Sequence, residues 1–263
     1  MNRLVTILSI IFLLMVGFYF LILKPEKYVE TDLYETIMQR GIIKVGIKTD
    51  SPPFGFYDEK GEVHGYDADL ARYIAQYLLK SPNKIEFIPV NPSNRMIKAS
   101  TGEVDIVIAT MTITPQREQI IDFSIPYDSA GQGVLVKSNS KITAISDLAG
   151  QNVGVIWGTT AEKNMINLVP TANVLGFKSY SEAYKALKNG NINAITSDDT
   201  ILSGFAMQDK EVKLLSKRYS REPYGIGFKK GKGSKKLKEN IDFAIKDMKQ
   251  KNVLARLHNK WLR

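Results

Sequence analysis

The stretch MTITPQREQIIDFSIPY, Met111 to Tyr127, carries its chemistry in a threonine, a proline and an arginine. Thr114 followed by Pro115 is ordinary helix initiation: the hydroxyl caps, and the ring presets φ where an N–H would be orphaned anyway. That accounts for neither Thr112 nor Arg117. A cation in a first helical turn opposes the helix dipole, so something negative is expected near it. A planar guanidinium beside free backbone N–H groups is a receptor for a carboxylate, although the same spacing also fits a solvated surface arginine. Covalent chemistry is poorly provided for. The chain has two histidines, His64 in a turn and His258 in the terminal helix, and neither adjoins a candidate nucleophile. No P-loop, GxSxG or HExxH pattern is present. Cysteine is absent, which excludes disulfides, zinc-thiolate sites and a cysteine-linked lipid anchor. No catalytic residue, metal or cofactor is expected.

Placing Arg117 just past a strand requires alternating strands and helices, and the pattern supplies them. IIKVGIK (Ile42 to Lys48) reads as a buried strand ended by the turn TDSPPFG, and Asp67 to Leu79 has helical spacing with an acidic start. KIEFIPV, NRMIKASTG with Gly102 as its stop, and VDIVIATMT continue as strand, helix and strand. This order predicts an α/β fold with a parallel sheet, whose ligands gather beyond the carboxyl ends of the strands. Lys48, Asp50, Arg95 and the segment Thr110 to Arg117 then share one rim. A second unit follows: NVGVIWGTTAEKNMINLV, SYSEAYKALKNG and INAITSDDTILSGF. Two extended crossings, PYDSAGQGVLVK and REPYGIGFKK, connect the units, and an amphipathic helix, Leu237 to Trp261, closes the chain. The expected organisation is an N-terminal segment and linker (1–30), a first lobe (31–130), an inserted second lobe (131–221) and a return to the first (222–263), with the site in the cleft.

Leu4 to Leu23 carries no charge and is about the length of a bilayer core. It predicts an N-terminal transmembrane helix that anchors an exported chain at the outer face of the cytoplasmic membrane or in the periplasm. A cleaved signal peptide competes, though its apolar region would be shorter and followed by a small-x-small site. The chain's 263 residues carry a formal net charge of +9. Lys229, Lys230, Lys232, Lys235, Lys236 and Lys238 contribute without interleaved aromatics, so a solvated, membrane-facing surface is expected rather than a nucleic-acid partner.

The runs GYDADLARYIA, GEVDIVIATMTITPQREQIIDFSIPY, DLAGQNVGVIWGTTAEKN, NAITSDDTILSGF and EPYGIGFKKG resemble, in order, the extracellular solute-binding proteins of polar amino-acid ABC importers, over about Asp32 to Arg263. The flavour is similar to the glutamate/aspartate-binding branch. The resemblance implies a two-lobed, periplasmic-binding-protein-like fold (type II, Venus flytrap), a monomer that closes over an amino acid and serves an ABC permease. It implies that Thr112, Arg117 and the backbone at Thr110 hold the α-carboxylate. Asp198 accepts the α-ammonium, where an N-cap role is the alternative. Thr159 and Thr160 give donors from the second lobe, although Thr159 and Glu162 also fit a capping box.

Lys48 and Arg95 match positions that carry a positive charge in acidic-amino-acid binders, and Tyr180 could join them at the distal carboxylate or pack between lobes. A neutral side chain would strand two desolvated cations, so glutamate or aspartate is expected first, with glutamine the alternative that Asp50 favours. An aromatic often precedes the PPF segment in the family. Here Ser51 stands there, which argues against arginine or lysine as ligand and leaves Phe54 as a substitute or as core. A dehydratase or a sensing ectodomain on the same fold are the remaining alternatives. Met1 to Arg3 leaves little for a cytoplasmic output, which favours import over sensing.

Overall fold

The structure, a computed structural model, describes residues 2–22 and 31–262 in two units, Met1–Thr31 and Asp32–Arg263. The first is the helix Asn2–Ile22, on which Val5, Leu13, Leu14 and Phe18 stand exposed. Among the described residues no helix is long and apolar enough to cross a membrane. The transmembrane helix expected over Leu4 to Leu23 therefore finds no support in the structure. Leu23 and the linker Lys24 to Glu30 lie outside the described residues.

The larger unit is built on two five-stranded sheets. The first runs Ile85–Pro89, Ile43–Ile47, Ile106–Val107, Gly227–Lys229, Ile121–Phe123, and the second Asn173–Phe177, Asn152–Ile156, Ala194–Asp198, Gln132–Lys137, Val212–Leu214. Three strands of each are parallel, and the central ones are almost wholly buried. That burial is what an unbroken apolar strand requires, since helices cover both faces. Neither sheet is all-parallel, however. Gly227–Lys229 and Gln132–Lys137 enter antiparallel to their neighbours, because each arrives from a crossing between the sheets rather than over a helix.

The crossings pair with one another as antiparallel strands, Asp128–Ala130 against Glu222–Tyr224. Their tyrosines join an aromatic cluster. Tyr127 lies 6.1 Å from Tyr224 and 6.2 Å from Tyr66, while Phe54 meets Tyr66 and Tyr224 edge-on at 5.7 and 5.8 Å. Phe54 is fully buried there, so it is core and not a ligand clamp. The closing helix is two, Lys235–Gln250 and Val253–Trp261, broken at Asn252, whose φ of 56° is left-handed; asparagine tolerates that conformation better than most residues.

Candidate functional site

The carboxyl ends of the parallel strands of the two sheets face a common, small cavity. Its walls are Lys48, Pro92, Arg95, Thr110 and Thr112 from the first lobe, and Thr159, Thr160, Tyr180 and Asp198 from the second. The cavity is nearly filled by these side chains, well below the roughly 300–1,000 Å³ of an open small-molecule pocket. Eight of the nine residues expected from the sequence line it. Arg117 does not; it lines an outer cleft of about 360 Å³ with Thr114, Gln116, Gly158, Glu162 and Lys163, which meets the cavity at Thr159 and Thr160.

Arg117 is held as its local sequence requires. Thr114 caps the short helix Pro115–Glu118, its side chain accepting from the Arg117 N–H. The guanidinium donates to the Thr112 carbonyl at 2.8 Å and, across the lobes, to the Gly158 carbonyl at 3.1 Å. Two of its five N–H donors are thereby named, and the rest remain for a ligand. Burial, then the neighbouring Arg95, push its pKa down to about 9, so it stays charged at neutral pH.

Asp198 closes the strand Ala194–Asp198 and precedes the helix Asp199–Gln208, yet it makes no side-chain cap bond. Asp199 does the local work instead, accepting from the Gly131 and Thr200 N–H groups and from Arg218. The Asp198 carboxylate is left to the cavity, with the Tyr224 hydroxyl donating to it at 2.5 Å. Burial pushes its pKa up to about 6, against the Tyr224 bond and the charges of Lys48 and Arg95.

Lys48 is not a solvated strand end: only 1% of it is exposed. Its ammonium has no hydrogen-bond partner among the described residues and lies 5.1 Å from the centre of the Tyr180 ring in the opposite lobe. Burial first, then Arg95, lower its pKa, while Asp50, Asp198 and Asp67 act to raise it. Arg95 donates to the Ala109 carbonyl at 2.5 Å and the Thr110 carbonyl at 3.3 Å, leaving its buried Nε unpartnered.

Two expected donors are already committed, and a third group is paired. The Thr110 N–H donates to the Asp67 carboxylate at 2.9 Å, and that residue's φ of 44° turns the chain to allow it; it cannot also hold a ligand carboxylate. The Tyr180 hydroxyl pairs with the Ser197 hydroxyl at 2.8 Å, and the Tyr180 ring faces the Lys48 ammonium. The Thr159 hydroxyl and N–H both donate to the Ile156 carbonyl, while Glu162 accepts from the Gly158 N–H at 3.4 Å, so the expected capping box does not form. The Thr160 and Thr112 hydroxyls have no partner among the described residues.

Asp67 and Tyr224 are the residues that local sequence reasoning missed. Asp67 sits in GYDADL, which reads as an ordinary acidic helix start. In the fold it is 1% exposed, and besides Thr110 it accepts from the Tyr127 hydroxyl at 3.0 Å. Burial raises its pKa. Apart from the cavity, Asp58, Glu62 and His64 cluster on a hairpin, with His64 Nε2 at 3.1 Å from Asp58 and 3.7 Å from Glu62.

The arrangement presents a buried carboxylate on one lobe, cations on the other, and hydroxyls between, which is a receptor for a small zwitterion. Comparison with known proteins agrees with that chemistry. The chain is 36% identical over 242 residues, 91% of its length and 88% of the relative's, to the ABC transporter glutamine-binding protein GlnH of Bacillus subtilis. It is 42% identical over 204 residues to the glutamine-binding protein of Geobacillus stearothermophilus, covering 77% of this chain and 78% of that one. Among solved structures, a cysteine-binding protein from Campylobacter jejuni superposes with a TM-score of 0.84 at 32% identity, over 88% of this chain and 93% of that one. The names of these three carry glutamine and cysteine, while the glutamate-binding protein GluB of Corynebacterium glutamicum is 28% identical over 211 residues, 76% of this chain and 72% of that one. Residues 43–263 match the family model, and the chain belongs to the bacterial extracellular solute-binding proteins, family 3.

Proposed function

We propose that this chain is the substrate-binding component of an amino-acid ABC importer, that its ligand is glutamine, and that it binds without catalysing a reaction. The observation that carries the ligand choice is the charge around Lys48. Glutamate was expected because a neutral side chain would strand two cations. Instead the Asp198 carboxylate of the opposite lobe lines the same cavity as Lys48, and Arg95 is engaged by two main-chain carbonyls. A distal carboxylate would join carboxylates already present, whereas an amide brings an acceptor for the cations and donors for the anions. The names of the two glutamine-binding relatives support the same choice.

In this scheme Asp198 takes the α-ammonium and Arg117, with the Thr112 and Thr160 hydroxyls, takes the α-carboxylate. The two ends of the ligand meet different lobes, so the closed state alone satisfies both, and a membrane permease receives that state. The exposed apolar helix Asn2–Ile22 engages the membrane on the export route; sequencing the N-terminus of the membrane fraction tests this, and a mature chain found only free and intact would refute it.

Titration calorimetry of the chain against the twenty amino acids tests the ligand. Glutamine is expected to bind at least about tenfold tighter than glutamate, equivalent to roughly 1.4 kcal/mol; equal or tighter glutamate would overturn the choice. Arg95 offers a finer measurement. Arg95→Gln removes a cation while leaving a hydrogen-bonding group, so glutamate should lose about tenfold more affinity than glutamine. Equal losses for the two would remove Arg95 from the side-chain pocket.

A further inference from the structure

The lobes touch backbone to backbone at two glycines of the second lobe, and neither belongs to the ligand set. Gly204 lies inside the helix Asp199–Gln208 and is buried. A Cβ built on it would stand 2.6 Å from the Pro52 carbonyl oxygen and 2.8 Å from Pro53 Cδ, both on the first lobe. Gly158, at φ +77°, follows the strand Asn152–Ile156; a Cβ there would lie 2.8 Å from the Pro92 carbonyl oxygen, and Pro92 lines the cavity. Contacts under 3.0 Å with backbone cannot be relieved by turning a side chain. Gly158 has a local reason to be glycine in its left-handed conformation. Gly204 has none, because its helical backbone would be better served by alanine.

We propose that Gly204, with Gly158 at the second contact, sets how far the lobes close: the missing Cβ at position 204 admits the Pro52–Pro53 segment of the opposite lobe. The proposal rests on the ligand-binding reading above and adds to it a residue that governs affinity without touching ligand. The two contacts reach the first lobe on separate segments, Pro52–Pro53 and Pro92–Ser93. Arg117 crosses beside the second, through its bond to the Gly158 carbonyl. The Lys48 ammonium over the Tyr180 ring joins the lobes between them. A spacer the size of one methyl group at Gly204 would hold these partners apart while leaving the separate lobes intact.

The experiment compares the wild type with Gly204→Ala and Gly204→Leu. Measurements are thermal unfolding without ligand, calorimetric titration with glutamine, and the radius of gyration by solution scattering with and without glutamine. The alanine variant should unfold at the same temperature as the wild type or higher, yet bind glutamine at least tenfold more weakly. The leucine variant should lose a hundredfold or more and show no ligand-induced compaction. Wild-type affinity together with full compaction in Gly204→Leu would overturn the proposal, as would an affinity loss matched by a fall in unfolding temperature in both variants. The wild-type titration separates this claim from the ligand assignment. If the wild type ignores glutamine, the assignment fails, and the closure claim is read with whichever of the twenty amino acids compacts the wild type.

Discussion

Arg117→Ala should remove most amino-acid binding while leaving the chain folded. Arg117 is 8% exposed, and its guanidinium reaches across from the first lobe to the Gly158 carbonyl of the second, in the outer cleft that adjoins the cavity at Thr159 and Thr160; the proposed scheme has it hold the α-carboxylate there. Truncating one partner of a buried, hydrogen-bonded charge pair costs about 2–5 kcal/mol, which corresponds to a loss of roughly 30- to several-thousand-fold in affinity. Stability should move far less. Of the two groups that lose a donor, the Gly158 carbonyl borders the outer cleft, where water can replace the guanidinium, and Thr112 lines the adjoining cavity. Removing a desolvated cation also relieves a cost. Arg117→Lys sharpens the result: a point charge restores attraction but not the bidentate fork, so it should recover only part of the loss. Calorimetry with circular dichroism on all three proteins decides the matter. Near-native affinity in a folded Arg117→Ala chain would sink the carboxylate assignment and the closure scheme that depends on it.

How much of this was legible depended on whether a feature is local in sequence. Alternation of apolar strands and amphipathic helices located both sheets, and the rim shared by Lys48, Arg95 and Thr112 followed from strand order alone. The helix start at Thr114 and Pro115 was equally local. What the pattern could not show was pairing over long separations. Ile121–Phe123 becomes a strand only because Gly227–Lys229 returns beside it, and three residues leave no periodicity to read. The fate of individual donors was hidden for the same reason. The Thr110 N–H looked free until Asp67, far upstream, took it, and the Tyr180 hydroxyl looked poised for a ligand until Ser197 met it. Charge counting along one lobe's rim also left out the carboxylate of Asp198, which acts on Lys48 from the other lobe. Gly204 is the extreme case, since nothing within its helix distinguishes it from a helix-weakening residue.

Glutamine affinity should weaken as the pH falls through about 6, and Asp198→Asn should abolish that dependence. In the unliganded chain burial pushes the Asp198 carboxyl up to about 6; the Tyr224 hydroxyl, Lys48 and Arg95 pull it down and Glu222 pushes it up. Only the carboxylate attracts the ligand's ammonium, so protonation competes with binding, and a group with a pKa near 6 costs about tenfold in affinity at pH 5 relative to pH 8. The sign for stability is opposite. Because the folded pKa of Asp198 is raised, its contribution to the unliganded chain is fully present below the ordinary carboxylate value near 3.9 and is lost as the pH rises through about 6. Glutamine supplies the missing counter-charge, so the rise in unfolding temperature on adding glutamine should grow from pH 5 to pH 7 even as the unliganded protein loses ground. Asp67 is raised by burial too, to about 7, with Lys48 pulling it back; Asp198→Asn leaves that titration in place, which separates the two carboxyls. Asp198→Asn keeps a hydrogen-bonding group of the same shape and removes the charge; it should bind glutamine on the order of a hundredfold more weakly at pH 8 and lose the step near pH 6. A wild-type profile that is itself flat, or an equal slope in the variant, would assign the ammonium to a group other than Asp198.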